Sequence, residues 1–442
     1  MKSEMWLTPD EVAENSEEYI RVSYFIQTDN MPLAEAAEKI AIEGTTGTWV
    51  RAAHETSRIR ERHAAKPFKI THYKNANMGQ IDIAYPLENF DPIIGGIPAF
   101  LNAVAGTVFA LGFLQNVKIL DVMFPRKFLE KFSGPKFGTE GIKNILKQTK
   151  RPLLSTAIKP NVGLDSKAFA EVCYEVAKGG VDIILDDELL VNPECCTLEK
   201  RVREVTRLLE KAEAETGEPK IYGANITTWA DRVVPLAKKA VSLGAKMVAL
   251  NVITAGYCAA RALSEDASVS VPIRAYRHMH AAFTRSPYHG IDMRVICKLS
   301  RIVGVDAIDT GAFGRLADDA VEVQDYNRVL NHKWLHFKAV FPVISGGVHP
   351  GSVETNLRLF GLDTIIHASG AIYGHPQGPR SGARAMRQAI EAVVDGTQIT
   401  EARKKSKELA VALSKEGWDY KPMPSELEEL CEFTSSSTEQ RK

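Results

Sequence analysis

Three consecutive carboxylates, Asp186, Asp187 and Glu188, end a run of apolar and β-branched residues that starts at Gly180. Such a run predicts a buried parallel strand covered on both faces. Its C-terminal end is where α/β barrels carry their chemistry. Three adjacent acids repel one another, so a fold that buries even two needs a cation nearby; otherwise they form an acidic loop in water. Lys159 ends a second such run, Thr156-Ala157-Ile158-Lys159-Pro160-Asn161. Ser345-Gly346-Gly347 and Ser369-Gly370 are glycine turns that leave backbone N–H groups to cradle phosphate. These residue types point to a phosphorylated or polyanionic small molecule, a lysine, and a carboxylate pair able to hold Mg²⁺.

The elements that must position these groups repeat as strand then helix from Arg151 onward. Strands are predicted at 153–159, 182–187, 220–226, 247–252, 272–277, 305–310, 341–345 and 364–369. Helices are predicted between them, including 167–178, 198–216, 229–243 and 276–286. Eight βα units argue for a closed (β/α)₈ barrel, whose post-strand loops share one rim. Before them lies a smaller α+β region. It has strands at 20–28, 68–73 and 79–85, a helix at 33–43, and an apolar helix or buried connection at 100–114. The chain thus reads as α/β, with an N-terminal α+β domain at 1–135 and a barrel with C-terminal helices at 136–432. A helix is predicted at 401–432, and 433–442 is a polar, frayed tail.

Composition narrows the class. The 442 residues are 45% hydrophobic and 25% charged with zero formal net charge, which gives no electrostatic reason to capture nucleic acid or an anionic membrane. No apolar run is long enough to span a bilayer, and the N-terminus lacks a signal-peptide core. Six cysteines without metal-ligand spacing suit a reducing cytoplasm.

The motifs together resemble the large subunit of RuBisCO, and more closely the RuBisCO-like proteins. Glu43-Gly44-Thr45-Thr46-Gly47-Thr48-Trp49 resembles the N-domain segment that enters the partner subunit's active site. Residues 156–164 resemble the strand-one lysine motif, and 179–188 the metal motif. Ser345-Gly346-Gly347 and Tyr373-Gly374-His375-Pro376 resemble the motifs around strands seven and eight. Residues 134–138 and 211–220 resemble the RuBisCO-like branch in particular. The resemblance implies a ferredoxin-like N-terminal domain, a (β/α)₈ TIM barrel and a homodimer with shared active sites. It implies Lys159, Asp187 and Glu188 as catalytic residues, with Asp187 and Glu188 also as metal ligands. Glu43, Thr48, Trp49, Arg277, Asp309, Arg315, Ser345, Gly346, Gly347, Ser369 and Gly370 then bind the phosphorylated substrate.

Departures from the family pattern shape the expected function. Leu185 stands where RuBisCO carries a carbamylated lysine, and leucine neither forms a carbamate nor ligates a metal. Asp187 and Glu188 hold Mg²⁺ with waters, or else pair with Lys159 or Arg277 without a metal. Asp309 replaces a histidine of the distal phosphate site and is expected to pair with Arg277. Arg315 stands near the family's mobile lysine and would clamp an anion bidentately. On this ground the expected function is not carboxylation but isomerase- or tautomerase-type enolisation of a phosphorylated sugar or sugar acid, with Lys159 transferring the proton. A decarboxylase or carbon–carbon lyase acting on a β-keto sugar acid is the alternative. A non-catalytic ligand-binding protein is the alternative of another class.

Overall fold

Strand β1 (Tyr19–Thr28) alternates Ile20, Val22, Tyr24 and Ile26 onto one buried face, the period of two that half-buried strands require. It pairs antiparallel with β3 (Met78–Pro86) and β4 (Leu114–Met123). β2 (Lys66–His72) lies outside β3, and β10 (Gly290–Ile291) runs parallel to β4, giving the order β10-β4-β1-β3-β2. The Tyr24 and Tyr85 hydroxyls are buried 2.8 Å apart, and Tyr24 also donates to the Val104 carbonyl. The structure is a computed structural model and describes residues 5–48, 50–73, 77–314, 319–415, 418–419 and 423–428. It divides into two units: Met1–Ser133 with Met279–Ile302, and Gly134–His278 with Val303–Lys442.

The second unit is built on a closed barrel. Its strands are β5 (Leu153–Ala157), β6 (Ile183–Leu185), β7 (Ile221–Asn225), β8 (Met247–Asn251), β9 (Ile273–Tyr276), β11 (Ala307–Asp309), β12 (Phe341–Ser345) and β13 (Ile365–His367). They close in the order β11-β12-β13-β5-β6-β7-β8-β9, and neighbours are parallel, as in β5 with β6 and β13 with β5. All eight lie within the predicted spans. Alternate residues point inward, so Leu153, Ile183, Leu185, Met247, Phe341 and Val343 share one apolar core. Leu185 fills the space that Gly223 leaves, since a Cβ on Gly223 would lie 2.4 Å from Leu185 Cδ2.

Three predicted elements differ. The apolar segment 100–114 is neither one helix nor a connection. A helix (Gly96–Ala105) ends at Gly106, where a Cβ would meet the Asn102 carbonyl at 2.3 Å, and β4 begins at Leu114. The helix expected at 276–286 is only Ala281–Thr284, because β9 extends to Tyr276 and Met279 is left-handed. The C-terminal helix is two helices, Ile399–Lys405 and Lys407–Leu413, parted by extended backbone at Ser406. The tail at 433–442 lies outside the described residues. No described helix is long and apolar enough to cross a membrane.

Candidate active site

The three acids after β6 have separate fates. Asp186 is fully buried and accepts two bonds from Arg201, at 2.9 and 2.8 Å, one from the Tyr222 hydroxyl and one from the Asn225 amide. That pairing makes it part of the frame, with its charge fully matched. Asp187 turns to the barrel mouth and accepts from Lys159 Nζ at 2.5 Å. Asp187 is buried, whereas Lys159 keeps a third of its side chain exposed. The Leu189 amide donates to the other Asp187 oxygen, and Asn225 Nδ2 ties down the Asp187 and Glu188 carbonyls. Glu188 faces His278 Nδ1 at 3.0 Å, and this bond raises the His278 pKa against the opposing effect of burial. Asp187 and Glu188 therefore each oppose a protein cation or protonatable ring.

Asp309, at the end of β11, is buried and bonded at 2.8 Å to Arg274 Nη2, not to Arg277 as expected. Strand register is the reason. β9 and β11 are adjacent, with Ala307 opposite Arg274 and Ile308 opposite Ala275, so Asp309 lies two residues further along and on the same face as Arg274, whereas Arg277 lies beyond the end of β9. Burial raises the Asp309 pKa, but Arg274, then His367 and Arg277, outweigh it and hold the carboxyl below the usual aspartate value. Arg277 is buried and acts on Asp309 through its charge. His367 on β13 is pushed down to about 4, first by burial and then by Arg274. It is a neutral ring near pH 7, bonded to Ser155 Oγ at 2.8 Å.

Ser345 ends β12, and its side chain adds to the groups that hold the Asp309 pKa down. Gly346 and Gly347 follow with φ of 122° and 83°, which glycine adopts without strain. The Ser369 hydroxyl lies 3.3 Å from the Ala157 carbonyl and 3.5 Å from His367 Nε2, so it stitches β13 to β5. A cavity of about 390 Å³ opens among Gly346, Gly347, His349, His367, Ser369 and Gly370. In the first unit Glu43 ends the helix Leu33–Glu43 and Thr48 is exposed. Trp49 and Arg315 lie outside the described residues. Arg274 and the Glu188 contact of His278 were not foreseen from sequence. Alternation along 272–277 could place Arg274 on a strand face but not assign its partner, whereas no local pattern marked the contact of His278.

The donor set does not fit the expected Mg²⁺ site. Asp187 and Glu188 are the two side-chain oxygen donors, both already engaged, and the third position is Leu185 in the apolar layer. Among the described residues no group of three or more His, Cys, Asp or Glu is placed to hold a metal.

Residues 10–128 match the family described as ribulose bisphosphate carboxylase large chain, N-terminal domain, and residues 138–418 match its catalytic domain. A ribulose bisphosphate carboxylase of Pyrococcus furiosus is 40% identical, over 90% of this chain and 94% of its own. A ribulose bisphosphate carboxylase-like protein of Archaeoglobus fulgidus is 36% identical, over 89% and 91%. The crystal structure of octameric ribulose-1,5-bisphosphate carboxylase/oxygenase from Pyrococcus horikoshii OT3, in complex with sulfate, is similar at a TM-score of 0.84. Its identity is 38%, over 90% of this chain and 93% of that one. Relatives this close that carry the carboxylase name overturn the expectation of a non-carboxylating isomerase or tautomerase, and with it the decarboxylase and non-catalytic alternatives. Leu185 removes one charged group from the site, while both domains keep the family frame.

Proposed function

The chain belongs to the ribulose bisphosphate carboxylase large-chain family, and from that premise we propose an enzyme of carboxylase type acting on a phosphorylated ketose. Ribulose bisphosphate is the substrate that the relatives' name supplies. The observation that carries the reading is the match of both domains to relatives of that name over nine-tenths of the chain. The site's own residues support it. Lys159 presents an ammonium at the barrel mouth, held by buried Asp187. As an ammonium, a lysine so placed stabilises the oxyanion of an enediolate, and once its own proton has passed to Asp187 its free amine takes the proton from the neighbouring carbon. The glycine turns after β12 and β13 hold one phosphate, with Ser345 and Ser369 at their edges. Arg277 supplies charge for a second anionic group, against the acid at Asp309. With leucine at 185 no carbamate forms, so activation by carbon dioxide has no lysine to act on, and no step is assigned to Mg²⁺.

Self-association belongs to the same proposal. The Pyrococcus horikoshii relative is octameric, and Glu43, Thr48 and Trp49 would complete the partner's site, with Arg315 as a further ligand for the anion. The enolisation step is tested by incubating the protein with ribulose bisphosphate in deuterium oxide. Wild type should wash deuterium into the carbon next to the carbonyl, and Lys159→Met should slow this at least about a hundredfold, the usual worth of a positioned acid–base group. Equal exchange in the two proteins would remove Lys159 from the chemistry.

A further inference from the structure

Lys415 lies just beyond the helix Lys407–Leu413 and outside the barrel repeats, yet with Trp418 it lines the cavity between the glycine turns after β12 and β13. Its ammonium donates to the Gly374 carbonyl at 2.7 Å and sits 4.2 Å from the centre of the Trp418 ring. Among the described residues it has no carboxylate partner. A cation satisfied by one carbonyl and one aromatic face keeps most of its charge for an anion. The opposite wall supplies matching donors. The amides of Gly346 and Gly347 have no acceptor among the described residues. His367 is a neutral ring there and does not compete for the negative charge.

The placement is built into the fold by two glycines. A Cβ on Gly374 would lie 2.8 Å from the Gly370 carbonyl oxygen, 3.0 Å from Lys415 Nζ and 3.2 Å from the Trp418 ring. A Cβ on Gly351, in the turn after β12, would lie 2.2 Å from the Asp419 carbonyl oxygen. Only glycine lets the C-terminal segment approach the rim this closely. Trp418 is buried there, so its indole covers the cavity and shields the ammonium from water.

We infer that Lys415 is a specificity-determining residue that binds the phosphate of the substrate, delivered to the barrel mouth by the C-terminal segment. This deepens the function proposed above and rests on its phosphorylated substrate. The test is calorimetric titration of the full chain with inorganic phosphate and with ribulose bisphosphate, in wild type, Lys415→Met, Lys415→Arg and Gly374→Ala, each checked for an unchanged melting curve. Losing a charge-assisted bond to phosphate should weaken binding of both probes about tenfold or more in Lys415→Met. Lys415→Arg should stay within about threefold of wild type because it keeps the charge. Gly374→Ala, whose Cβ crowds the Gly370 carbonyl as well as the ammonium without removing the charge, should fall between. Lys415→Met binding both probes as tightly as wild type overturns the role of Lys415 alone. A wild type that binds neither probe overturns the phosphorylated-substrate reading on which it rests.

Discussion

At the scale of single residues, the site is defined by which acids are neutralised and by what. Asp186 is consumed by Arg201, Asp187 by Lys159, and Asp309 by Arg274. The last pair sits against a neutral His367, which gives a pH dependence with a definite sign. The unfolded imidazole takes a proton near pH 6.5, whereas the folded one does so only at about 4. Between those values the unfolded chain binds more protons, so stability rises with pH through the window and is lost as pH falls. His367 should therefore cost about 2 kcal/mol of stability between pH 7 and pH 5. Urea denaturation at the two pH values should give a smaller drop in His367→Gln than in wild type. An equal drop would mean that His367 does not titrate below its unfolded value. Much of this residue pattern was legible: Lys159, Asp187 and the glycine turns stand at the rim where strand ends predict them. The Arg274–Asp309 pair was not, because it depends on the register between β9 and β11, which alternation within one strand leaves open.

At the scale of elements, the barrel layer explains Leu185. It is fully buried and packed over Gly223, and the apolar area it removes from water stabilises the fold by about 1.5–3 kcal/mol. Gly223→Ala would place a Cβ 2.4 Å from Leu185 Cδ2, and such overpacking costs about 1–3 kcal/mol. A Leu185→Ala background should relieve the clash, so a double-mutant cycle in urea should return a coupling of opposite sign to the Gly223→Ala penalty. Additive effects would show that the two side chains do not share this space. The βα repeat was readable because short β-branched runs alternate with amphipathic segments of helical length. The breaks at Gly106 and Ser406 were not. Each lies inside an apolar or helical composition, and its effect comes from backbone geometry that composition does not report. Lys415 was invisible for a related reason: it lies far along the chain from the turns it faces, and nothing local marks it.

At the scale of the whole molecule, the proposed assembly and the proposed reaction rest on the same family relatives. Static light scattering should give a mass at least twice that of the single chain, as the octameric relative suggests. A monomer at micromolar concentration would remove the shared-site role of Glu43, Thr48 and Trp49. The reaction proposed for this molecule is carboxylase-type chemistry in a site that holds Lys159 on Asp187 and leucine at 185. The direct measurement is acid-stable label fixed from labelled bicarbonate in the presence of ribulose bisphosphate, by wild type and by Lys159→Met, with and without prior incubation in carbon dioxide and Mg²⁺. Wild type should fix label, prior incubation should change this little because no carbamate forms at 185, and Lys159→Met should lose it. Label from wild type no higher than from Lys159→Met would contradict the proposed reaction.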